Sequence, residues 1–126
     1  IVCNLSTRLL GQREAVEFDV EAVLQAARDT GTALEINASP ERLDLKDTHA
    51  YRARELGVPL VINTDSHHHT RLDKRRFGVA VARRAWCRPE EILNTLPRKQ
   101  FLEFIRTPKP RRLGVFDQRR HKTVPA

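Results

Sequence analysis

Methionine is missing from this chain of 126 residues, tryptophan and tyrosine occur once each, and cysteine occurs twice. Cys3 and Cys87 are too few and too far apart for a disulfide framework, and their spacing matches neither a zinc knuckle nor a redox pair. Both are expected as reduced, half-buried thiols. No apolar run approaches the length that spans a bilayer. No basic start, apolar core and small-residue cleavage site marks the chain for export. The expected compartment is the cytoplasm, with no membrane partner. Because methionine is absent and Ile1 opens directly into Val2, the chain is expected to be a fragment of a longer protein.

What is present is a chain with 40% hydrophobic residues and a net charge of +7, enough for one globular domain. The charge is unevenly placed. Residues 107–126 carry six Lys/Arg against one acid, which leaves +2 for the rest. That stretch has three prolines and no apolar periodicity, so it reads as a basic, disordered tail. Such a tail either adds salt-sensitive affinity for nucleic acid or is a solvated end without a partner.

Three apolar runs have strand length: IVC at 1–3, ALEINA at 33–38 and PLVINT at 59–64. Between the first two, Val20, Val23, Leu24 and Ala27 share a helical face, with Asp19 as N-cap and Gly31 beyond the end. Between the second and third, Asp47 caps a helix closed by Gly57 and Pro59. A strand start about every 30 residues is the length of a βα unit feeding a parallel sheet. Further on, FGVAVARRAW reads as a short helix, and RPEEILNTLPRKQFLEFIR as two helices separated by Pro97. Trp86 is expected to anchor these closing helices, with Arg83 and Arg84 at its flank, in preference to forming a nucleic-acid patch. About three parallel strands with helices make an α/β arrangement, and its completion is a barrel or an open doubly wound sheet. In both, chemistry gathers at the C-terminal ends of the strands.

Those ends deliver Asn4, then Glu35 and Asn37, then Asp65 and His67, all expected on one rim. Residues two apart on a strand point the same way, so Asp65 and His67 can meet one ion. A carboxylate oxygen with an imidazole nitrogen suits Zn²⁺, Mn²⁺ or Fe²⁺. An aspartate and a histidine can also simply hydrogen-bond in a loop, and His68 and His69 read as solvated neighbours. Arg8 is a candidate phosphate clamp through its planar fork, or a member of a surface ion pair.

Taken in order, STRLLGQRE, ALEINASPERLDLKD, VINTDSH, FGVAVARRAW and ILNTLP resemble the C-terminal part of the polymerase and histidinol phosphatase (PHP) domain attached to bacterial and archaeal family X DNA polymerases. The resemblance runs from Ile1 to about Ile105 and divides the chain into a PHP portion at 1–106 and the tail at 107–126. It implies a distorted, TIM-like seven-stranded β/α barrel, present here in part. It further implies divalent metal ions, Mn²⁺ or Zn²⁺, at the barrel mouth and a 3′→5′ exonuclease that processes DNA ends beside the polymerase. Asp65 and His67 match the family's late Asp-x-His ligands. Glu35, Asn37, Arg42 and Asp44 match its EIN and RLDL signatures, as rim or scaffold residues.

Asn4 stands where the family has a metal-binding histidine, and the family's early His-x-His pair has no counterpart in these residues. The metal site is therefore expected to be incomplete, and the isolated chain to be a poor catalyst. The implied partners are DNA, the upstream part of the same barrel and the polymerase domains. Two other readings stand beside the phosphoesterase: a degenerate barrel segment that supports a polymerase, and a nucleic-acid binder acting through its basic tail.

Overall fold

The computed structural model describes residues 1–109, 111, 112, 114, 116 and 117. The first helix, α1 (Val20–Thr30), begins where Asp19 accepts a hydrogen bond from the Ala22 N–H at 3.0 Å, and it ends at Gly31 in the left-handed region. Strand β1 (Leu34–Asn37) follows, then α2 (Asp47–Leu56), β2 (Leu60–Asn63), α3 (Arg75–Arg84) and α4 (Arg98–Arg106). Asp47 is the first residue of α2 rather than its cap, because Lys46 occupies the N-cap position and the Asp47 carboxylate turns to Arg84 at 2.8 Å.

Strands β1 and β2 pair in parallel, with Glu35 opposite Val61 and Asn37 opposite Asn63. Single parallel bridges extend the array on both sides, Val2 to Leu34 and Leu60 to Ile92. The expected strand at 1–3 is therefore one bridging residue, since a short exposed segment with one neighbour makes few ladder bonds. Ile92 was expected inside a helix. It is extended, with 3₁₀ turns at Pro89–Glu91 and Leu93–Thr95 on either side of it. Pro89 sets the first turn, and pairing with Leu60 outweighs the helical spacing of the apolar residues.

Alternation sorts the strand residues onto two faces. Leu34, Ile36 and Leu60 enter a core with Leu24 and Ala27 of α1, Ala50 and Ala53 of α2, and Val81 and Ala82 of α3. Val61, on the other face, packs with Leu93, Phe104 and Phe116. Burial on both faces explains why β1 reads as a nearly continuous apolar run. Helix α3 lies close on the sheet because of Gly78, where a Cβ would come within 2.5 Å of the Ile62 side chain and 2.9 Å of Ala38.

Two expectations are corrected here. Trp86 is no anchor: it is 74% exposed, and the neighbouring Ala85 fills the buried position. The tail is not uniformly free from Thr107 onward. Lys109, Arg111, Arg112, Gly114, Phe116 and Asp117 have helical backbone, Phe116 is buried, and Asp117 pairs with Arg28 at 2.9 Å. An aromatic side chain that covers the second core outweighs the polar composition around it. The rest of the tail, 118–126, lies outside the described residues. No helix among the described residues is long and apolar enough to cross a membrane.

Candidate functional site at the strand ends

Glu35, Asn37, Val61 and Asn63 share one face of the sheet, and its polar members gather toward the C-terminal ends of the strands. Glu35 is 6% exposed, so its carboxylate needs partners. It has them. The Asn4 N–H donates to Oε2 at 3.0 Å and the Asn63 side-chain amide donates to Oε1 at 3.0 Å. Asn37, fully buried, donates from Nδ2 to Asn4 Oδ1 at 3.0 Å and to Asp65 Oδ2 at 3.5 Å, and accepts the Ser39 N–H at 2.9 Å. Four of the residues expected on the rim, Asn4, Glu35, Asn37 and Asp65, thus form one hydrogen-bonded chain.

Asp65 reaches this chain differently from the way strand alternation proposed. Strand β2 ends at Asn63, and Asp65 has φ +52°, so Asp65 and His67 are not successive residues on one face of a strand. The turn directs the Asp65 carbonyl at His67 Nδ1, 3.0 Å away. His67 is exposed at the edge of the network. His68 and His69 are exposed too, their rings 4.2 Å apart, with His68 Nδ1 close to the Thr70 hydroxyl at 2.8 Å.

The loop after β1 folds back on the strand. Asp44 bridges to Asn37, and its buried carboxylate accepts the N–H groups of Ser6 and Thr7 at 2.8 and 3.1 Å, fastening the N-terminal loop over the strand end. Asn4, Thr7, Leu43 and Asp65 all have positive φ, so the loops around the rim share a conformation that is uncommon outside glycine.

Arg8 has contacts that neither of its expected readings, phosphate clamp or surface ion pair, included. Its Nε donates to the Arg42 carbonyl at 2.7 Å and a terminal nitrogen donates to the Leu43 carbonyl, so it braces the loop. It lines a separate cavity of about 570 Å³ with His49, Lys46 and Phe18. The guanidinium beside Asp65 belongs instead to Arg42, with Nε 3.6 Å from Oδ2. From the sequence, Arg42 is a rim or scaffold residue with no assigned partner. An arginine placed by a turn that folds back on its own strand leaves no periodic signal.

As metal ligands, Asp65 and His67 have the right donor chemistry but are too few. Among the described residues no group of three His, Cys, Asp or Glu side chains is placed to hold an ion. Cys3 is exposed and not half-buried as expected, and its thiol is pushed up by desolvation first and then by the Glu35 carboxylate. Asp65 and His67 could fill part of a shell, and a closed one would need ligands from outside this set.

Over 106 residues, 84% of its length, the chain is 42% identical to the DNA polymerase/3'-5' exonuclease PolX of Bacillus subtilis (strain 168). The chain is a relative of PolX. The resemblance to the PHP domain of family X polymerases, drawn from the motifs, therefore stands. The chain spans only 19% of the length of PolX. No family profile matches the chain.

Proposed function

We propose that these residues form part of a metal-dependent phosphoesterase barrel in a PolX-type enzyme, and that this barrel trims DNA from the 3′ end in repair. The observation that carries the reading is the 42% identity to a protein whose name joins polymerase and 3'-5' exonuclease. The parallel run Val2, β1, β2 and Ile92 supports it, since this is the order of neighbours that a partial β/α barrel would have.

Asp65 and His67 would contribute two ligands to a divalent ion, Mn²⁺ or Zn²⁺. The bound ion would supply an acidified water and neutralise charge on the phosphate. With Nδ1 held at the Asp65 carbonyl, Nε2 is the His67 nitrogen left for that task. Asn37 orients the Asp65 carboxylate from below, and Glu35 fixes the Asn4 loop at its backbone. Asn4 offers only an amide oxygen, a poorer ligand than imidazole, and that oxygen already accepts from Asn37. DNA is the substrate, the remaining barrel strands and the polymerase domains are the partners, and the cytoplasm is the compartment. By itself the chain is a poor catalyst, because most of the metal shell is not in it.

A second reading has an observation of its own. Asp65 is paired with Arg42 and hydrogen-bonded by Asn37, and Asn4 with Asn37, so an ion pair and hydrogen bonds tie these polar groups to one another. That is how a barrel segment kept for support would look. The two readings separate by metal analysis and a single-strand exonuclease assay on the complete enzyme, with Asp65→Ala and His67→Ala alongside. The phosphoesterase reading expects bound metal and activity in the wild type and loss of both in the variants. Equal metal content and equal activity in all three would remove Asp65 and His67 from the ligand set. A wild type with neither metal nor activity supports the structural role.

A further inference from the structure

Arg42 sits on the loop between β1 and α2 with its side chain 24% exposed, and its Nε faces Asp65 Oδ2 at 3.6 Å. Neither terminal nitrogen of this guanidinium hydrogen-bonds to a described residue. The backbone beneath it is held firmly. The Arg42 and Leu43 N–H groups both bond to the Ser39 carbonyl, at 2.8 and 2.9 Å, and Arg8 grips the carbonyls of both residues. Lys74 Nζ lies 3.6 Å from Glu41, the residue before Arg42, and adds a second cation to this side of the rim.

A planar fork with both tips open to an incoming anion, on a loop already braced, matches two oxygens of a phosphodiester. We propose that Arg42 binds a backbone phosphate of the nucleic acid substrate at this rim, and that Arg8 is a positioning residue acting through the Arg42 and Leu43 carbonyls. The inference rests on the phosphoesterase reading for the identity of the anion. Asp65 competes for the same guanidinium, so removing its charge should release Arg42 toward phosphate.

The test titrates a short fluorescein-labelled single-stranded oligothymidylate into the purified complete enzyme without metal, over a range of salt. Arg42→Ala should weaken binding about tenfold and lower the salt slope by about 0.7, the share of one phosphate contact on a single strand. Arg42→Lys, which keeps the charge and loses the fork, should fall between, and guards against a folding defect in the alanine variant. Asp65→Asn should tighten binding about threefold. Arg8→Ala should lose most of what Arg42→Ala loses, and the double variant little more, as for residues acting through one contact. An Arg42→Ala protein with wild-type affinity and salt slope overturns the proposal, as does a wild type that does not bind. The complete enzyme assayed with Mn²⁺ separates the two readings. Arg42-dependent binding without hydrolysis keeps the phosphate site and removes the exonuclease, whereas hydrolysis with an unchanged KM in Arg42→Ala does the reverse.

Discussion

The units 34–56 and 60–84 each run from a four-residue strand through a loop into a helix of ten residues, yet their loops are built in opposite ways. In the first, residues 38–46 turn back to bridge Asn37 through Asp44, bury that carboxylate and hold the N-terminal loop with it. In the second, residues 64–74 carry the exposed His67, His68 and His69, which lead into a 3₁₀ turn at His69–Lys74. A loop tied down through a buried carboxylate holds one geometry: Asp44 Oδ2 has its two N–H donors fixed, while Oδ1 is buried without a hydrogen-bond partner among the described residues. An exposed loop can take a ligand because its donors and acceptors face water. The candidate site lies where the two meet, with Arg42 on the rigid side and Asp65 and His67 on the open side.

The sharpest way to break this contrast is Asp44→Ala, which leaves two backbone donors without their charged acceptor. It should cost about 3 kcal/mol, read from the urea midpoint. A loss no larger than that of a surface change would mean that the first loop is not the rigid one. Next in size, Gly78→Ala pushes a methyl against Ile62 and Ala38 and should destabilise by about 2 kcal/mol in the same assay. It lifts α3 from the sheet and tests whether the second unit is tightly seated despite its open loop.

A pH measurement sharpens the comparison from the other side. His49 of α2 is held below its ordinary value by burial first, then by Lys46 and Arg8, with Asp44 opposing. Its folded form binds fewer protons than the unfolded chain. The stability linked to it is therefore complete above about pH 6.5 and declines as the pH falls toward the lowered value. Thermal melts from about pH 7 to about pH 5 should show this decline, and His49→Gln should flatten it. The exposed His68 provides the smallest effect. Its replacement by alanine should change stability by less than about 0.5 kcal/mol, and a larger loss would mean that the histidine loop is part of the scaffold.

How much of this was legible before the structure follows from the range of each interaction. Helix α1 was readable to its cap, since Asp19, the apolar spacing and Gly31 are local signals that agree. Strands β1 and β2 were readable because burial on both faces leaves a continuous apolar run. The extended Ile92 was not, because a bridge to Leu60, 32 positions away, decided it against local spacing. Asp65 comes beside Asn37 through a turn with positive φ and not through the strand alternation that the sequence suggested. From the sequence, Arg8 is a phosphate clamp or a member of a surface ion pair and Arg42 a rim or scaffold residue, and in the fold Arg8 holds two carbonyls while Arg42 meets Asp65. Both are arginines near the rim in sequence, and only the fold says which one finds carbonyls and which one meets an acid. Trp86 and Phe116 misled in opposite directions, as aromatic size says how much surface is at stake and nothing about which element covers it.

The exposure of Trp86 has a practical consequence in optics. Since the chain holds one tryptophan, and its indole already faces water in the native state, the emission spectrum should hardly move when the chain unfolds. Circular dichroism has to follow denaturation instead. The same indole would shift to shorter wavelength when another surface settles over it, so a quiet fluorophore in unfolding experiments becomes a sensitive one for assembly.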